Sequence, residues 1–425
     1  MIMFNRTDFF EKSADVLSKI YASRNAEFVK ARYNAAFDEF ENLYGETDEL
    51  SVFSVAGRSE ICGNHTDHNY GKVLAASIDL DIIAIVKKTD EPIIKVKSAG
   101  FPEDVVSIEK LTPEIMDTGR SSSLIRGVCD GFVKNGLKIG GFTAYTTSDI
   151  LGGSGLSSSA AFEDMIGTIL NYLYNDGNVD YIEISKISQY AENVHFGKPC
   201  GLMDQVACAA GGFVTIDFED PKAPIAERIA FDLSAKGYSL CIVNTGGSHA
   251  NLTDDYAAVP AEMKAVAAHF GKPVLRGLTE EQIISNAAAL RKKCGDRAIL
   301  RALHFIRENK RVERMLDALA EGNTKEFLSI IKESGNSSAN LLQNYYTPKA
   351  PAEQGITLAC AIASEILGDD GAYRVHGGGF AGTMQAFVPH GRMNAFRENM
   401  EAVFGKGAVT ELSVRPLGAC AVYHG

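Results

Sequence analysis

The sequence has no tryptophan, no pair of cysteines at the C-x-x-C spacing and no apolar run long enough to span a membrane. We expect its eight cysteines to stay reduced in a cytosolic setting, because they are scattered at positions 62, 129, 200, 208, 241, 294, 360 and 420. The first residues reach charged side chains quickly and lack the long apolar segment of a secretory signal. A cytoplasmic protein with no membrane partner is therefore predicted.

The chain also lacks an excess of positive charge. It has 42 Lys and Arg against 54 Asp and Glu, which gives a net charge of −12. This balance argues against nucleic acid as a partner, and an anionic ligand would need a local region of positive potential. A length of 425 residues predicts two domains with ample material for a core.

The order of patterns predicts an α+β protein. Helical spacing over residues 8–44 predicts two helices, so we assign 1–45 to an N-terminal helical extension. Strand-like runs follow from residue 52, and a segment at 219–225 with two prolines and several charges marks a boundary. The predicted domains are 46–220 and 221–425.

A glycine-rich stretch, which we call the glycine–serine loop (residues 151–159), joins a strand-like run at 142–147 to a helical run from residue 160. Its glycines allow close backbone approach to a ligand, and a helix N-terminus favours an anion. A flexible turn with an ordinary serine N-cap is the simpler alternative. Three consecutive serines exceed what capping needs, and one or two of them are potential Mg²⁺ ligands.

The glycine–serine loop contains no lysine and does not end in Gly-Lys-Ser/Thr, so it is not a Walker A loop. It is not the dinucleotide fingerprint either, because Ser158 replaces the third glycine. Bound phosphates would need the helix dipole, a metal ion and distant basic groups for neutralisation.

Polar residues cluster between two strand-like runs at 57–69, a segment predicted to be a polar loop. A zinc site is one alternative, since Cys62, His65, Asp67 and His68 are all potential ligands, and a solvated loop is another. A site for a polyhydroxylated ligand fits better, because Asn, His and Asp combine donors with neutral and anionic acceptors.

Two carboxylates and a second glycine-rich turn complete the candidates. Asp204 starts a helix, where it either caps the helix or accepts a hydroxyl proton. Glu192, on the preceding helix, is either an exposed carboxylate or a ligand of a divalent cation. Residues 376–382, which we call the glycine turn, form either a tight connection or part of a pocket.

In this order, the three stretches resemble the motifs of the galactokinase family within the GHMP kinases. Residues 57–67 resemble Gly-Arg-x-x-x-x-Gly-x-His-Thr-Asp, residues 155–160 resemble Gly-Leu-Ser-Ser-Ser-Ala, and residues 377–382 resemble Gly-Gly-Gly-Phe-x-Gly. Residues 200–205 resemble the segment around the family's catalytic aspartate. The matches span most of the chain, and their joint occurrence is highly specific.

The resemblance implies a ribosomal-S5-like first domain, a ferredoxin-like C-terminal domain and an active site between them. It implies ATP- and Mg²⁺-dependent phosphorylation of the anomeric hydroxyl of galactose. Asp204 would be the base and Arg58 its partner. The other implied roles are sugar binding by Asn64, His65, Asp67 and Tyr256, phosphate binding by Gly152, Gly153, Ser154, Gly155, Leu156, Ser157, Ser158 and Ser159, and metal binding by Ser159 and Glu192.

Two residues depart from the family pattern. Asn64 replaces a usual glutamate and His68 a common tyrosine, so the specificity for the sugar can differ. Removing a negative charge at residue 64 would admit galacturonate, and N-acetylgalactosamine and arabinose are further alternatives. The alternative that is not an enzyme is a galactose sensor of the same fold. We expect a monomer or weak oligomer whose partners are a sugar and ATP.

Overall fold

The computed structural model of the protein describes residues 5–22, 24–45, 48–150, 155–198, 200–247 and 252–424. The helices are α1 (Arg6–Lys12), α2 (Ala14–Ile20), α3 (Ala26–Tyr44), α4 (Ser121–Lys134), α5 (Ser158–Tyr174), α6 (Tyr181–Tyr190), α7 (Met203–Ala210), α8 (Thr253–His269), α9 (Glu280–Ser285), α10 (Ala287–Cys294), α11 (Asp296–Ala320), α12 (Thr324–Ser337), α13 (Gly355–Leu367) and α14 (Met393–Phe404). None of the helices in these ranges has the length and apolarity that crossing a bilayer requires.

The strands are β1 (Leu50–Cys62), β2 (Lys72–Thr89), β3 (Ile93–Ser98), β4 (Glu103–Ser107), β5 (Gly141–Ser148), β6 (Phe213–Asp217), β7 (Ile225–Ile229), β8 (Tyr238–Asn244), β9 (Ala372–Val375), β10 (Thr383–Pro389), β11 (Val409–Leu412) and β12 (Cys420–Tyr423). They form an eight-stranded sheet and a four-stranded sheet. The predicted α+β class is confirmed. The N-terminal extension holds three helices rather than the two predicted.

The larger sheet has the order β12-β1-β2-β5-β3-β4, with β6 and β7 added beside β2. Successive residues of a strand face opposite sides of a sheet, and β2 shows this alternation. Ile83 and Ile85 pack against the N-terminal helices, in one cluster with Phe37 of α3. Ala84 and Val86 pack on the other face, in the core that contains α5. Both faces of the sheet are therefore covered.

Strand β1 is longer than the sequence indicates. All 13 of its residues are buried, and Gly57 and Arg58 lie within it. The prediction that the polar loop starts at residue 57 is wrong, because the polar side chains of residues 58–60 are buried against distant partners. The loop itself occupies residues 63–71, which we call the polar loop from here on.

The smaller sheet has the order β11-β8-β10-β9. Its residues also alternate between two cores. Cys241 and Val243 of β8 pack in the cluster that contains α13 and α14. Leu240 and Ile242 pack in the main core with α11 and α12. This layer carries the glycine turn between β9 and β10.

The domain boundaries stay a prediction. Strands on either side of the predicted boundary between residues 220 and 221 pair with each other. Strand β7 pairs with β6, and β12 pairs with β1 in the larger sheet. The end of the chain therefore returns to the first sheet, which no local pattern of the sequence indicates.

A buried charge network joins the two ends of the chain. Asp81 of β2 accepts hydrogen bonds from Arg32 of α3 at 2.5 Å, from the Tyr21 hydroxyl at 2.6 Å and from Arg415 at 3.1 Å. Burial alone would raise the pKa of Asp81, but the charges of Arg32 and Arg415 lower it. The N-terminal helices are thus held to the sheet by ion pairs as well as by apolar packing.

Replacement of Asp81 by Asn should destabilise the fold, because two largely buried guanidinium groups lose their charged partner. We expect a loss of about 3–5 kcal/mol in the free energy of unfolding, measured by urea denaturation followed by circular dichroism. The control is Asp296→Asn, which breaks an ion pair with Arg291 that is exposed on both sides. Equal urea midpoints for the two variants would contradict the role given to Asp81.

Candidate active site

The guanidinium of Arg58 joins a strand, a loop and a helix. Its Nε and Nη2 atoms lie 2.8 and 2.7 Å from Asp204 Oδ1, in the first turn of α7. Its Nη1 donates to the carbonyl oxygen of Gly155. Its backbone N–H donates to Leu156 at 3.1 Å. Arg58 therefore fixes the aspartate and the end of the glycine–serine loop together.

Asp204 does not cap its helix. The N-cap position of α7 is Leu202, and Asp204 Oδ2 instead accepts a hydrogen bond from the Ser157 hydroxyl at 2.5 Å. Ser157 occupies the N-cap position of α5, with φ of 61°, but makes no side-chain cap. Both capping alternatives are therefore wrong, because the two side chains bind each other.

Burial would raise the pKa of Asp204, but the charge of Arg58 and the bonds from Ser157 and Arg58 lower it. The carboxylate is therefore ionised at neutral pH. About a third of the side chain (35%) remains exposed, so a small molecule can reach it.

The glycine turn receives hydrogen bonds from three of the predicted site residues. Three donors bind three successive carbonyl oxygens: Asn64 Nδ2 to Gly377 at 2.8 Å, His65 Nε2 to Gly378 at 2.9 Å and Tyr256 Oη to Gly379 at 2.9 Å. Only glycine fits residue 379, where φ is 78° and a Cβ would lie 2.2 Å from the Asn344 oxygen.

These bonds decide what the side chains can offer to a ligand. A carbonyl only accepts, so Nε2 of His65 carries a proton and donates it to the hydrogen bond with Gly378. The Tyr256 hydroxyl donates its proton to Gly379, so its oxygen lone pairs are what it presents to a ligand.

Asp67 lies beside the segment that carries Asp204. A Cβ on Gly201 would come within 2.7 Å of Asp67 Oδ2, so the absence of a side chain there permits this contact. Burial and the charge of Asp204 raise the pKa of Asp67, against the opposing effect of His65. The structure therefore brings His65, Asp67 and Asp204 into one electrostatic environment.

Asn64, predicted to bind substrate, has its amide fully engaged by protein. Its NH₂ group donates to Glu60 at 3.1 Å and to Gly377 at 2.8 Å, and its oxygen accepts from Asn344 at 2.8 Å and Ser338 at 3.3 Å. The residue is completely buried. In this structure it fastens the polar loop to the glycine turn.

Two buried residues near Asn64 were not predicted from the sequence. Arg374 of β9 donates to Glu60 at 2.8 Å and to the Ile61 carbonyl at 2.6 Å. His376 lies between Ser59 and Thr383, at 3.1 Å from each hydroxyl. The sequence did offer a signal for both: a charged or polar residue within a strand-like apolar run is usually buried beside a polar partner.

The glycine–serine loop is only partly described. Gly152, Gly153 and Ser154 lie outside the described residues, so their predicted phosphate contacts stay predictions. Gly155 is exposed with φ of 72°, Leu156 is buried, and Ser158 and Ser159 begin α5. The described part places the N-terminus of a 17-residue helix beside Asp204, through Ser157.

Glu192 lies in a buried polar group with Glu163 and Gln205. One Glu192 oxygen binds Lys198 at 2.7 Å, and the other accepts from Gln205 at 3.0 Å. The same Gln205 nitrogen donates to Glu163 Oε2 at 3.1 Å, while the buried Glu163 Oε1 has no partner among the described residues. Mg²⁺ prefers oxygen ligands such as these carboxylates. The predicted ligands Ser159 and Glu192 both offer oxygen atoms.

The zinc alternative receives no support. The described residues contain no group of three or more His, Cys, Asp or Glu side chains placed to hold a metal ion. Cys62 is buried against Glu308, and His65 binds the glycine turn. The potential ligands therefore point to different partners.

Comparison with known proteins defines the class of the protein. The GHMP kinases N-terminal domain family matches residues 123–212. The fold matches solved GHMP kinases, including Methanococcus jannaschii mevalonate kinase, with a TM-score of 0.61 and 14% identity over 86% of this chain and 99% of that chain. The chain is a GHMP kinase, and this class uses ATP.

Within that class, residues 38–88 match the galactokinase galactose-binding signature. Galactokinases of Streptomyces coelicolor and Glaesserella parasuis are 30% and 31% identical, over 86% and 85% of this chain and 92% and 90% of theirs. The solved galactokinase of Lactococcus lactis complexed with galactose has a TM-score of 0.77 and 23% identity, over 91% of this chain and 99% of that one. The chain belongs to the galactokinase family, as the motifs predicted.

Replacement of Asn64 by Asp tests the fastening of the polar loop. The new carboxylate would face Glu60 and the Gly377 carbonyl without a proton to donate to either. We expect a loss of about 3 kcal/mol in the free energy of unfolding, measured by urea denaturation. The control is Asn340→Asp, since Asn340 is exposed and its amide bonds only one helical carbonyl among those described. An unchanged stability of the Asn64 variant would contradict the fastening role.

Proposed function

We propose that the protein transfers the γ-phosphoryl group of ATP to the anomeric C1 hydroxyl of galactose, giving galactose 1-phosphate. Asp204 accepts the hydroxyl proton, and Arg58 holds Asp204 ionised and in place. His65, Asp67 and Tyr256 bind sugar hydroxyls. The glycine–serine loop and the N-terminus of α5 bind the phosphates, and Ser159 and Glu192 hold Mg²⁺.

One observation carries the choice of a sugar: the site presents hydrogen-bond acceptors to a ligand. The Tyr256 oxygen can accept because its proton is donated to the glycine turn, and the Asp204 carboxylate can accept because its lowered pKa keeps it ionised. A molecule with several hydroxyl groups supplies the matching donors. The galactose-binding signature and the galactose complex of the Lactococcus lactis relative support galactose as that molecule.

The same acceptors disfavour galacturonate. A C6 carboxylate would add a negative charge to a site that already contains the ionised Asp204, and the amide of Asn64 is already occupied by protein groups. Asn64 is uncharged, but it therefore has no free group that could bind the carboxylate of an acidic sugar.

For the chemical step, the geometry suits a reaction in which the protein mainly aligns the reactants. Phosphoryl transfer passes through a loose transition state, so Asp204 needs only to orient the hydroxyl and take its proton late. The Ser157 bond fixes one carboxylate oxygen, and Arg58 fixes the other. Asp204 is thereby held beside the start of α5, where a terminal phosphate would bind.

The negative charge of ATP requires local compensation, since the chain carries a net charge of −12. The helix N-terminus and Arg58 supply part of it. Mg²⁺ would neutralise phosphate charge when bound. Lys198, which now binds Glu192, has a side chain that is 61% exposed, so it can move into solvent when the ion arrives.

A panel of free sugars tests the substrate directly. We expect ADP release with galactose at a kcat/KM at least about tenfold above that with galacturonate, N-acetylgalactosamine or arabinose, a factor that corresponds to about 1.4 kcal/mol. Phosphorus NMR of the product should show phosphate at C1. A higher kcat/KM with another sugar would overturn galactose, and no turnover with any sugar would favour the sensor alternative.

Replacement of Asp204 by Asn tests the base. The amide keeps the shape and can still bind Ser157 or Arg58, but it cannot accept the proton. We expect kcat to fall by about 10²–10⁴-fold, with the Kd for galactose, measured by calorimetry, nearly unchanged. Turnover close to that of the wild type would contradict the assignment.

The pH dependence tests the partnership of Arg58 and Asp204. The lowered pKa of Asp204 means that the ionised base, and hence kcat/KM, is lost only at pH values below the usual aspartate range. Arg58→Gln removes the opposing charge, so the acid limb of kcat/KM should move upward by about 1–3 pH units. Arg314→Gln, at an exposed ion pair, is the control and should leave the limb in place. The same acid limb in wild type and Arg58→Gln would contradict the pairing.

A further inference from the structure

We propose that helix α11 sets the affinity for the sugar, because three of its side chains hold both ends of the polar loop. That loop carries His65 and Asp67, two of the residues assigned to the sugar. The proposal rests on the proposed function for the identity of the ligand, galactose. The three side chains, His304, Glu308 and Asn309, are positioning residues and touch no substrate in this scheme.

The start of the polar loop is bound by one face of α11. The Gly63 N–H donates to Glu308 Oε1 at 3.0 Å, and His304 Nε2 donates to the Asn64 carbonyl oxygen at 2.9 Å. His304 and Glu308 are four positions apart, so they lie on the same face of the helix. Both are completely buried, which shields these hydrogen bonds from water.

The end of the polar loop is bound by the neighbouring row of the same helix. The N–H of Lys72, directly after the loop, donates to Asn309 Oδ1 at 2.6 Å. Gly71 packs on Phe305, since a Cβ on this glycine would lie 2.9 Å from the Phe305 ring. Phe305 and Asn309 are again four positions apart. Residues 304–309 of one helix therefore meet both ends of the loop.

The ionisation of the two buried side chains suits these contacts. Burial lowers the pKa of His304 to about 4, so the ring is neutral at neutral pH. With its proton on Nε2, facing Asn64, its Nδ1 accepts from the Ser337 hydroxyl at 2.9 Å. Burial would raise the pKa of Glu308, but the charge of Arg311 lowers it, so the carboxylate keeps its charge. Arg311 binds Oε2 at 2.7 Å, and Oε1 stays directed at the loop.

Within the polar loop, a buried residue separates the two that are assigned to the sugar. His65 and Asp67 are half-buried, whereas Thr66 between them is completely buried. Thr66 Oγ1 lies 2.8 Å from the Gly63 carbonyl oxygen and 2.6 Å from that of Lys72. A displacement of either end is therefore transmitted to Thr66 and its two neighbours. Binding groups must be held within about 0.5 Å of the productive geometry, so such a displacement weakens binding.

The groups assigned to the chemical step are held by other elements. Asp204 is bound by Arg58 of β1 and by Ser157, which precedes α5. A loosened polar loop should therefore raise KM for galactose more than it raises KM for ATP or lowers kcat. A general loss of stability would not separate the two substrates in this way.

The polar loop has a further support near its end. The Leu275 N–H donates to Asn69 Oδ1 at 3.1 Å, and Arg276 donates to the Tyr70 carbonyl oxygen at 2.7 Å. Loss of one contact to α11 should therefore weaken sugar binding without abolishing it.

The test is steady-state kinetics of the full chain with Asn309→Ala. Asn309 is only half-buried and alanine favours a helix, so the fold should persist. We expect KM for galactose to rise about fivefold, with KM for ATP and kcat changed less than about twofold. Asn309→Asp keeps an oxygen acceptor for the Lys72 N–H and should restore the wild-type KM for galactose. The control is Glu313→Gln, which removes an exposed contact of the same helix to Lys72 Nζ and should leave both KM values unchanged.

An unchanged KM for galactose in Asn309→Ala would overturn the proposal, and so would a KM that stays raised in Asn309→Asp. Equal rises of both KM values with a lowered Tm would also overturn it, because they would indicate a purely structural role. Calorimetry with galactose separates this proposal from the proposed function. If the wild type and Asn309→Ala bind galactose equally well, only the role of α11 fails. If the wild type does not bind galactose, the substrate assignment fails and this proposal fails with it.

Discussion

The contact between Arg58 and Asp204 is the interaction on which the rest of the site depends. It joins the long buried strand β1 to the first turn of α7, and the same guanidinium reaches the glycine–serine loop through Gly155. The pair lowers the pKa of the aspartate despite its burial. One planar, permanently charged group thus sets both the position and the ionisation of the carboxylate, which a lysine could not do with the same geometry.

A second constraint is the glycine turn. Its three carbonyl oxygens accept hydrogen bonds from Asn64, His65 and Tyr256, and these bonds fix how the three side chains are oriented. The chemistry of the site therefore comes from backbone groups as much as from the motif side chains. Because a Cβ on Gly379 would lie 2.2 Å from the Asn344 carbonyl oxygen, this position of the turn requires glycine.

Much of this architecture could be predicted from the sequence. The helices and strands gave clear periodic patterns, and the joint occurrence of the motifs indicated the family. The three motif segments come together in the structure. Arg58 and Ser157 both contact Asp204, and His65 of the polar loop and Tyr256 of α8 both bind the glycine turn.

The rest depended on partners that are distant in sequence. Arg374 and Glu60 are 314 positions apart, and Arg415 and Asp81 are 334 apart, so no local pattern reveals that these charges are buried and paired. For the same reason, the sequence pattern predicted a short strand and a loop where the structure has the long strand β1. It also gave no indication that β12 pairs with β1 in the first sheet. Asn64 was assigned to the sugar from the motif alone, whereas its environment is set by Asn344 and Ser338, which lie far along the chain.

The most direct test is a crystal structure of the protein with galactose and a non-hydrolysable ATP analogue. The account predicts the C1 hydroxyl of the sugar within hydrogen-bond distance of the Asp204 carboxylate, with the terminal phosphate between that hydroxyl and the N-terminus of α5. A triphosphate bound elsewhere, or an Asp204 carboxylate that faces away from the sugar, would contradict it.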